Sequence, residues 1–454
     1  HHQEVDVAGA YRVLRDAMAD KQIQRLVLVH TGQSASLRAL AALARTARAE
    51  RPRLRVSSVE VGEGVGADLI AGEVRDGLDD PEVRLTDGRR EVLEWSEFTP
   101  APLTRFQVSL NATYLITGGL GGLGRHFAEL LADRGAGKIV LTGRSAPDGE
   151  AHAWMQSLRC LVEYRAADVS NRQSVRDLIT DLRMPGSPPL KGVLHAAGVL
   201  RDGLLLDKDK DDSAWNQVCA PKVTGTVVLD EETSDVELDW FVCFSSVAGA
   251  VGNPGQAEYA YANRFMDGYM SDREKLRISG RRHGRSLAIG WPLWADGGMG
   301  LDEATIARLE RTVGTLPLGT DVGQTVVQGA GGIGLEDGHD MACAHRARVQ
   351  AGFHLHDADA GLGVASLDGP LDGGSATPAR QQRGMDVQAT QPGQIQHRLR
   401  QQQAIRGHHH HVRLQGAQGR QGFFGPLIGG LTPDPTLFGL IGCRGADAQR
   451  LGLK

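Results

Sequence analysis

Three residues near the middle of the chain have types and spacing that could do chemistry. Ser246 ends the apolar run Leu238 to Ser246 (LDWFVCFSS), Tyr259 follows 13 positions later, and Asn263 lies 4 positions beyond it. The apolar run reads as a strand, and Tyr259-Ala260-Tyr261-Ala262-Asn263 reads as the opening of a helix. A spacing of four then sets Tyr259 and Asn263 on one helix face. A positioned phenol can donate a proton to an oxygen that gains charge during a reaction. Each residue type taken singly is more often a bland surface or helix residue, so the weight lies in the spacing. Tyr261 is off that face and reads as a packing residue.

A second group could hold a nucleotide. Thr117-Gly118-Gly119-Leu120-Gly121-Gly122-Leu123-Gly124 directly follows the apolar run Tyr114 to Ile116 and opens a helix. Gly119, Gly121 and Gly124 have the G-x-G-x-x-G spacing: a tight turn, close backbone approach to a pyrophosphate, and close helix packing with the phosphates on the helix N-terminus. Glycine-rich turns without a nucleotide are frequent in α/β proteins, but the strand-glycines-helix context favours a dinucleotide here. The next strand ends in Leu141-Thr142-Gly143-Arg144-Ser145. An NAD site usually offers a carboxylate there for the ribose 2′-hydroxyl. Arg144 instead suits a 2′-phosphate, which selects NADPH; its bland alternative is a surface arginine in a loop. Asp168-Val169 follows the third strand, where a carboxylate can accept from the adenine amino group. His195-Ala196-Ala197-Gly198 follows the fourth, where small residues let the backbone lie against the dinucleotide.

The elements that must position these groups alternate regularly. From Ala112 the chain runs TYLITGG, a helix to about Arg134, KIVLTGRS, a helix, LVEYRAADV, a helix, GVLHAAGV, a helix, LDWFVCFSS, a long helix, and RSLAIGW. Apolar strands separated by amphipathic helices imply an α/β fold, a Rossmann-type doubly wound parallel sheet over residues 111–318. Residues 1–110 read as a truncated pseudo-Rossmann structural subdomain. Gln24 to Thr31, a helical stretch Ser36 to Glu50, and Leu54 to Val61 make a βαβ unit, but only Gly32-Gln33-Ser34 follows its first strand, too few glycines to wrap a pyrophosphate. Glu82 to Leu85 and Glu91 to Trp95 flank Asp87-Gly88, a hairpin signal. Residues 319–454 are rich in Gly, Gln, His and Arg with neither period, which suits a disordered tail, a linker or a segment read in a shifted frame. His408 to His411 reads as a solvated tract, because four consecutive histidines lack the spaced ligands of a closed metal site.

Taken in order, these motifs resemble the short-chain dehydrogenase/reductase superfamily and, within it, the ketoreductase domains of modular type I polyketide synthases. The superfamily usually has Lys one turn after Tyr and Asn on an earlier helix. Here Asn263 holds the Lys position, and Lys222, in Ala220-Pro221-Lys222-Val223-Thr224-Gly225, stands where Asn is expected. That exchange is characteristic of the polyketide ketoreductases, and the resemblance covers roughly residues 1–318. It implies reduction of a carrier-bound β-ketoacyl thioester to a β-hydroxyacyl thioester with NADPH. Tyr259 is then the acid, Lys222 its neighbouring cation and a ribose partner, Ser246 the donor to the carbonyl oxygen, and Asn263 an aid to Lys222 or to a relay water. Pro292, after the strand Arg285 to Gly290, would form the turn against the nicotinamide, and Leu293 to about Leu309 a lid with a Gly297-Gly298 hinge. Val199-Leu200-Arg201-Asp202 resembles the Leu-Asp-Asp motif of B-type ketoreductases with Arg201 in the middle place, while Val251 stands where A-type members carry Trp. Both point to a D-configured hydroxyl.

The bulk numbers exclude less. A net charge of -5 over 454 residues, with Lys and Arg spread along the chain, leaves no nucleic-acid footprint. The partners expected are an acyl carrier protein and neighbouring synthase domains, although no G-x-D-S-L carrier motif occurs in the sequence. Five cysteines, at 160, 219, 243, 343 and 443, form no CxxC pair and suit free thiols in a reducing compartment. No apolar run is long enough to span a bilayer and no signal peptide opens the chain, so the expectation is a cytoplasmic protein; His1 and His2 read as a tag remnant. Two other readings are a free-standing reductase, which would not need the N-terminal half, and a non-catalytic scaffold, which would not need the complete Lys222, Ser246, Tyr259 and Asn263 set.

Overall fold

The computed structural model describes residues 7–77, 79–86, 89–93, 108–208, 211–296, 317–321 and 323–324, together with the strand backbone of 348–350 and 437–444. The chain opens with α1 (Val7–Ala19), which precedes the strands β1 (Ile23–His30), β2 (Arg55–Val61), β3 (Glu82–Thr86) and β4 (Arg89–Val92). The first three strands pair in parallel and the last two form an antiparallel hairpin, with Val83 opposite Val92. Helices α2 (Ala35–Arg38), α3 (Leu40–Glu50) and α4 (Ala67–Asp76) make the connections. The position after β1 is closed to a phosphate: a Cβ placed on Gly32 would meet the Glu60 carboxyl carbon at 2.2 Å, and Glu60 pairs with Arg84 at 3.0 Å.

The second sheet holds β5 (Thr113–Thr117), β6 (Lys138–Gly143), β7 (Leu161–Ala166), β8 (Leu190–His195), β9 (Trp240–Ser246), β10 (Arg285–Trp291) and β11 (Arg348–Gln350), all parallel. Its order is β11-β10-β9-β8-β5-β6-β7, so the winding reverses between β5 and β8. Ligands of open α/β sheets bind in the crevice at the carboxyl ends of the strands beside such a reversal. Every residue of β5 and β9 is buried, because helices cover both faces of the central strands; this is why both read as unbroken apolar runs. The covering helices are α5 (Gly122–Asp133), α6 (Gly149–Ser157), α7 (Arg172–Leu182), α8 (Ser213–Cys219), α9 (Gly225–Glu232), the short α10 (Ala248–Val251) and α11 (Ala257–Ile278). Asp148 and Asn171 cap α6 and α7 by accepting from Ala151 N at 2.8 Å and Ser174 N at 3.0 Å, which fixes where the β6 and β7 loops end.

Within residues 319–454, read above without a period, Arg348–Gln350 takes the edge place beside β10, and Leu437–Arg444 forms β12, antiparallel to β1. Pairing with a neighbour, rather than an internal pattern, makes both segments strands.

Helix α11 carries Tyr259 and is held from two sides. Its far half is anchored by Arg273, fully buried, whose guanidinium donates to Asp230 Oδ1 and Ser286 Oγ at 2.7 Å and to the carbonyls of His283 and Gly284. A buried charge is tolerable only when paired and hydrogen-bonded in this way. Its near half meets the first sheet through Glu82, which bonds Arg264 at 2.6 Å and Arg45 at 2.7 Å. Burial alone would raise the Glu82 carboxyl, but the two guanidiniums outweigh it and hold it down at about 2. One apolar cluster runs from Tyr11, Leu14, Leu40 and Leu43 to Trp215, Tyr261, Phe265 and Met266, joining the N-terminal helices to α11. Tyr261 packs there, donating to Ser36 O at 3.2 Å.

Candidate active site

The glycine loop leaves β5 and enters α5 directly. Gly118, with φ +65°, makes the sharp turn, a role the spacing had given to Gly119; a Cβ on it would stand 2.9 Å from Ala196 O and Ala197 Cα. A Cβ on Gly119 would meet Leu141 at 2.8 Å, and one on Gly124 would meet Gly118 O at 2.4 Å, so loop, helix and β6 close up only with glycine at both places. Gly121 is the N-cap of α5, and the N–H groups of Gly122, Leu123 and Gly124 in its first turn have no intrahelical acceptor. Such a turn is a ready cradle for a pyrophosphate.

Around the loop stand the other nucleotide candidates. Arg144 is exposed just beyond β6, and among the described residues its guanidinium has no ion-pair partner. Next to it, the Ser145 carbonyl accepts from the Tyr164 hydroxyl. Asp168 commits Oδ1 to the amide and hydroxyl of Ser170, at 2.9 and 2.6 Å. The Val169 side chain is buried and packs against Gly225. Pro292 is buried after β10. The lid expected at 293–309 has only Leu293 to Asp296 within the described residues; Trp294 is buried there and bridges to Leu318, while the Gly297-Gly298 hinge lies outside them, as does His408 to His411.

His195-Ala196-Ala197-Gly198 differs in detail from the expectation of small residues facing a dinucleotide. The His195 ring turns into the protein, with Nδ1 2.6 Å from Thr117 Oγ1 and Nε2 2.9 Å from Pro221 O. Burial, reinforced by nearby Lys222, drops its pKa to about 3, so the ring is neutral: Nε2–H donates to Pro221 and Nδ1 accepts from the threonine. The room beside Gly198 is taken by Lys222, whose Cε would lie 2.8 Å from a Cβ there.

Lys222 sits in a π-helical turn, Ala220–Thr224, between α8 and α9. It is buried, and its ammonium donates to Phe244 O at 2.9 Å and Asn263 Oδ1 at 3.0 Å. Two of its three N–H groups are thus spent on protein acceptors. Burial lowers the Lys222 pKa to about 8 against the pull of Cys243 and Asp267. Asn263 Nδ2 in turn donates to Tyr259 O at 2.7 Å, so the amide is held at both ends. The Lys222 nitrogen stands 5.3 Å from the centre of the Tyr259 ring. Burial pushes the Tyr259 hydroxyl up, and the Ser246 hydroxyl and Asn263 side chain beside it pull the other way. Ser246 Oγ accepts from Ala248 N at 3.2 Å and keeps its hydroxyl proton as a donor.

The loop after β8 also reaches this end. Asp202 takes both carboxylate oxygens to Gln256 Nε2 at 3.1 Å, three residues before Tyr259, and Val251 is exposed at the end of α10. Arg201 turns aside to Gln217 Oε1 at 2.7 Å. The sequence reading missed Gln256, Ser245, which donates to Asn263 O at 3.1 Å, and Glu258, which receives the Tyr11 hydroxyl at 2.5 Å and Lys208 at 3.2 Å. The acidic residue adjoining Tyr259 was the one local signal for any of them.

Residues 112–296 match the family described as the KR domain. The polyketide synthase PksN of Bacillus subtilis (strain 168) is 35% identical over 321 residues, which is 68% of this chain and 6% of that protein. The chain therefore spans a small fraction of the curated relatives it matches. Among solved structures, a ketoreductase domain from the bacillaene assembly line is 31% identical with a TM-score of 0.64, covering 71% of this chain and 78% of that one. PlmKR1, the ketoreductase from the first module of phoslactomycin biosynthesis in Streptomyces sp. HK803, is 30% identical with a TM-score of 0.56, covering 67% and 72%. Among the described residues no helix is long and apolar enough to cross a membrane. With its doubly wound sheet, glycine loop and Lys-Ser-Tyr-Asn cluster, the chain belongs to the ketoreductase domains of polyketide synthases, oxidoreductases of the short-chain dehydrogenase/reductase type that depend on a nicotinamide cofactor.

Proposed function

We propose that this domain uses NADPH to reduce a β-ketoacyl thioester, presented by an acyl carrier protein, to the D-configured β-hydroxyacyl thioester during polyketide assembly in the cytoplasm. The observation that carries the reading is the gathering of Lys222, Asn263, Tyr259 and Ser246 at the carboxyl ends of the strands beside the glycine loop. The cradle fits the cofactor: Gly119 and Gly124 admit no Cβ, the first turn of α5 offers unpaired N–H groups, and Arg144 is an exposed cation where a 2′-phosphate would lie. When bound, the nicotinamide supplies the hydride.

The chain's own groups supply the rest. The Ser246 hydroxyl, its oxygen anchored by Ala248 N, donates to the ketone oxygen and stabilises the charge that gathers there. Tyr259 then delivers its phenolic proton to that oxygen. Lys222 makes this transfer easier by favouring the phenolate that is left, and its third N–H is free for the ribose. Asn263 keeps the ammonium in place. Asp202 and Gln256 line the side from which the acyl chain enters, and that direction decides which face of the ketone is presented. The neighbouring synthase domains and the carrier protein are the partners this reading implies. Incubation with NADPH and a β-ketoacyl N-acetylcysteamine thioester, followed by chiral analysis, tests it; D product supports it, and absence of NADPH oxidation contradicts it.

A further inference from the structure

Glu50 is the last residue of α3, in the N-terminal layer that carries no glycine loop. Its carboxylate spans two loops of the other sheet: Oε2 accepts from Leu205 N at 2.8 Å and Oε1 from Gly255 N at 2.9 Å. Leu205 closely follows Asp202, and Gly255 immediately precedes Gln256 and the helix of Tyr259. The loops also meet directly, through Gly203 N to Gly255 O at 2.9 Å and through Gln256 to Asp202. One turn earlier on α3, Thr46 Oγ1 accepts from Asn253 N at 3.2 Å, so the same helix face holds the second loop twice. Glycine is required where α3 and this loop touch: Gly252 has φ +77° and lies so close that a Cβ would meet Thr46 N at 2.7 Å. Leu205 itself is fully buried, so its loop is pinned by its side chain and by Glu50 together.

We propose that Glu50 is a positioning residue for the active site: a two-pronged staple from the non-catalytic layer that sets the separation between the Asp202 loop and the start of the Tyr259 helix, and thereby the face on which the ketone is reduced. The inference rests on the functional reading above and adds to it a specificity-determining residue 209 positions before the tyrosine. The chemistry suits the task. A carboxylate accepts two backbone N–H groups at once through charge-assisted bonds, whereas a carboxamide can accept one and turns an N–H against the other. Burial raises the Glu50 carboxyl above the usual carboxylate range, and the Gly255 and Leu205 amides only partly offset it.

The test compares the wild-type protein with Glu50→Gln, using NADPH and a β-ketoacyl N-acetylcysteamine thioester. The expected result is a fall of tenfold or more in the ratio of major to minor β-hydroxy enantiomer and a rise in the thioester KM, with the NADPH KM within twofold of wild type. A merely structural role would lower the melting temperature and leave the enantiomer ratio alone. An unchanged ratio in a folded Glu50→Gln protein overturns the proposal. Amide hydrogen exchange in the wild-type protein gives a check that needs no variant: slow exchange at both Leu205 and Gly255 is expected, and exchange at the rate of an open peptide at either one overturns the staple. A wild-type protein that reduces no β-ketothioester contradicts the functional reading itself, while an active wild type matched in enantiomer ratio by Glu50→Gln contradicts this inference alone.

Discussion

Lys222 Nζ and Asn263 Oδ1 lie 3.0 Å apart, the lysine in a π-helical turn and the asparagine on the helix that carries Tyr259. The amide is fixed at its other end by Tyr259 O, so the position of the ammonium is tied to the tyrosine's own backbone. Asn263→Ala removes one of the two acceptors that aim Lys222. The expected loss in kcat is about 10- to 100-fold, or about 1.4 to 2.7 kcal/mol, with a smaller change in the NADPH KM. Steady-state kinetics on a ketone substrate checks it, and an unaltered kcat would show that Phe244 O alone suffices.

The same lysine is expected to set a pH limit. Its pKa is lowered by burial from 10.5 to about 8, so the ammonium is lost as pH rises through about 8. We expect kcat/KM to fall above that pH, by about tenfold per unit. The sign for stability is opposite. Between the folded and the ordinary pKa the unfolded chain holds the proton that the folded chain has released, so Lys222 makes stability rise with pH over that window. A ketone without an acidic α-proton keeps substrate ionisation out of the profile; a flat profile to pH 10 would contradict the assignment of Lys222.

Arg144 projects from the end of β6 with no ion-pair partner among the described residues. Arg144→Ala is expected to raise the NADPH KM about tenfold or more and leave the NADH KM within about twofold, since only the former carries the 2′-phosphate. Equal effects on both cofactors would make Arg144 a structural residue.

Much of the catalytic sheet was legible in the sequence because its signals are local. Buried parallel strands are apolar along their whole length, the glycine loop sits between strand and helix, and Tyr259 and Asn263 share a helix face. Long-range contacts left no such trace. Glu50 reads as the charged end of an amphipathic helix, and its partners are 155 and 205 residues away. Arg273 is fully buried against Asp230, a partner 43 residues away that no local spacing encodes. His195 looked like part of a nucleotide-facing turn, yet its ring bonds inward to Thr117 and Pro221, which only the adjacency of β5 and β8 brings within reach.

If the proposed stereochemistry holds, it turns on the contact between Asp202 and Gln256 and on the small, exposed Val251. Asp202→Ala breaks the side-chain link between the two loops on the solvent side. We expect the wild-type enzyme to give mainly the D-β-hydroxyacyl product and Asp202→Ala to erode that excess severalfold while NADPH binding persists. Chiral chromatography of the hydrolysed product checks both, and predominantly L product from the wild type on a carrier-bound substrate would overturn the assignment.

We propose that Tyr259 protonates the oxygen of a β-ketoacyl thioester while other residues hold the cofactor. Tyr259→Phe deletes the hydroxyl and little volume, and Tyr259 belongs to α11 rather than to the glycine loop or the helix it opens. The decisive measurement is NADPH oxidation with a β-ketoacyl thioester, set beside NADPH affinity, for the wild type and Tyr259→Phe. We predict a fall in turnover of about 100-fold or more with NADPH affinity unchanged. Turnover by Tyr259→Phe close to that of the wild type would contradict the account.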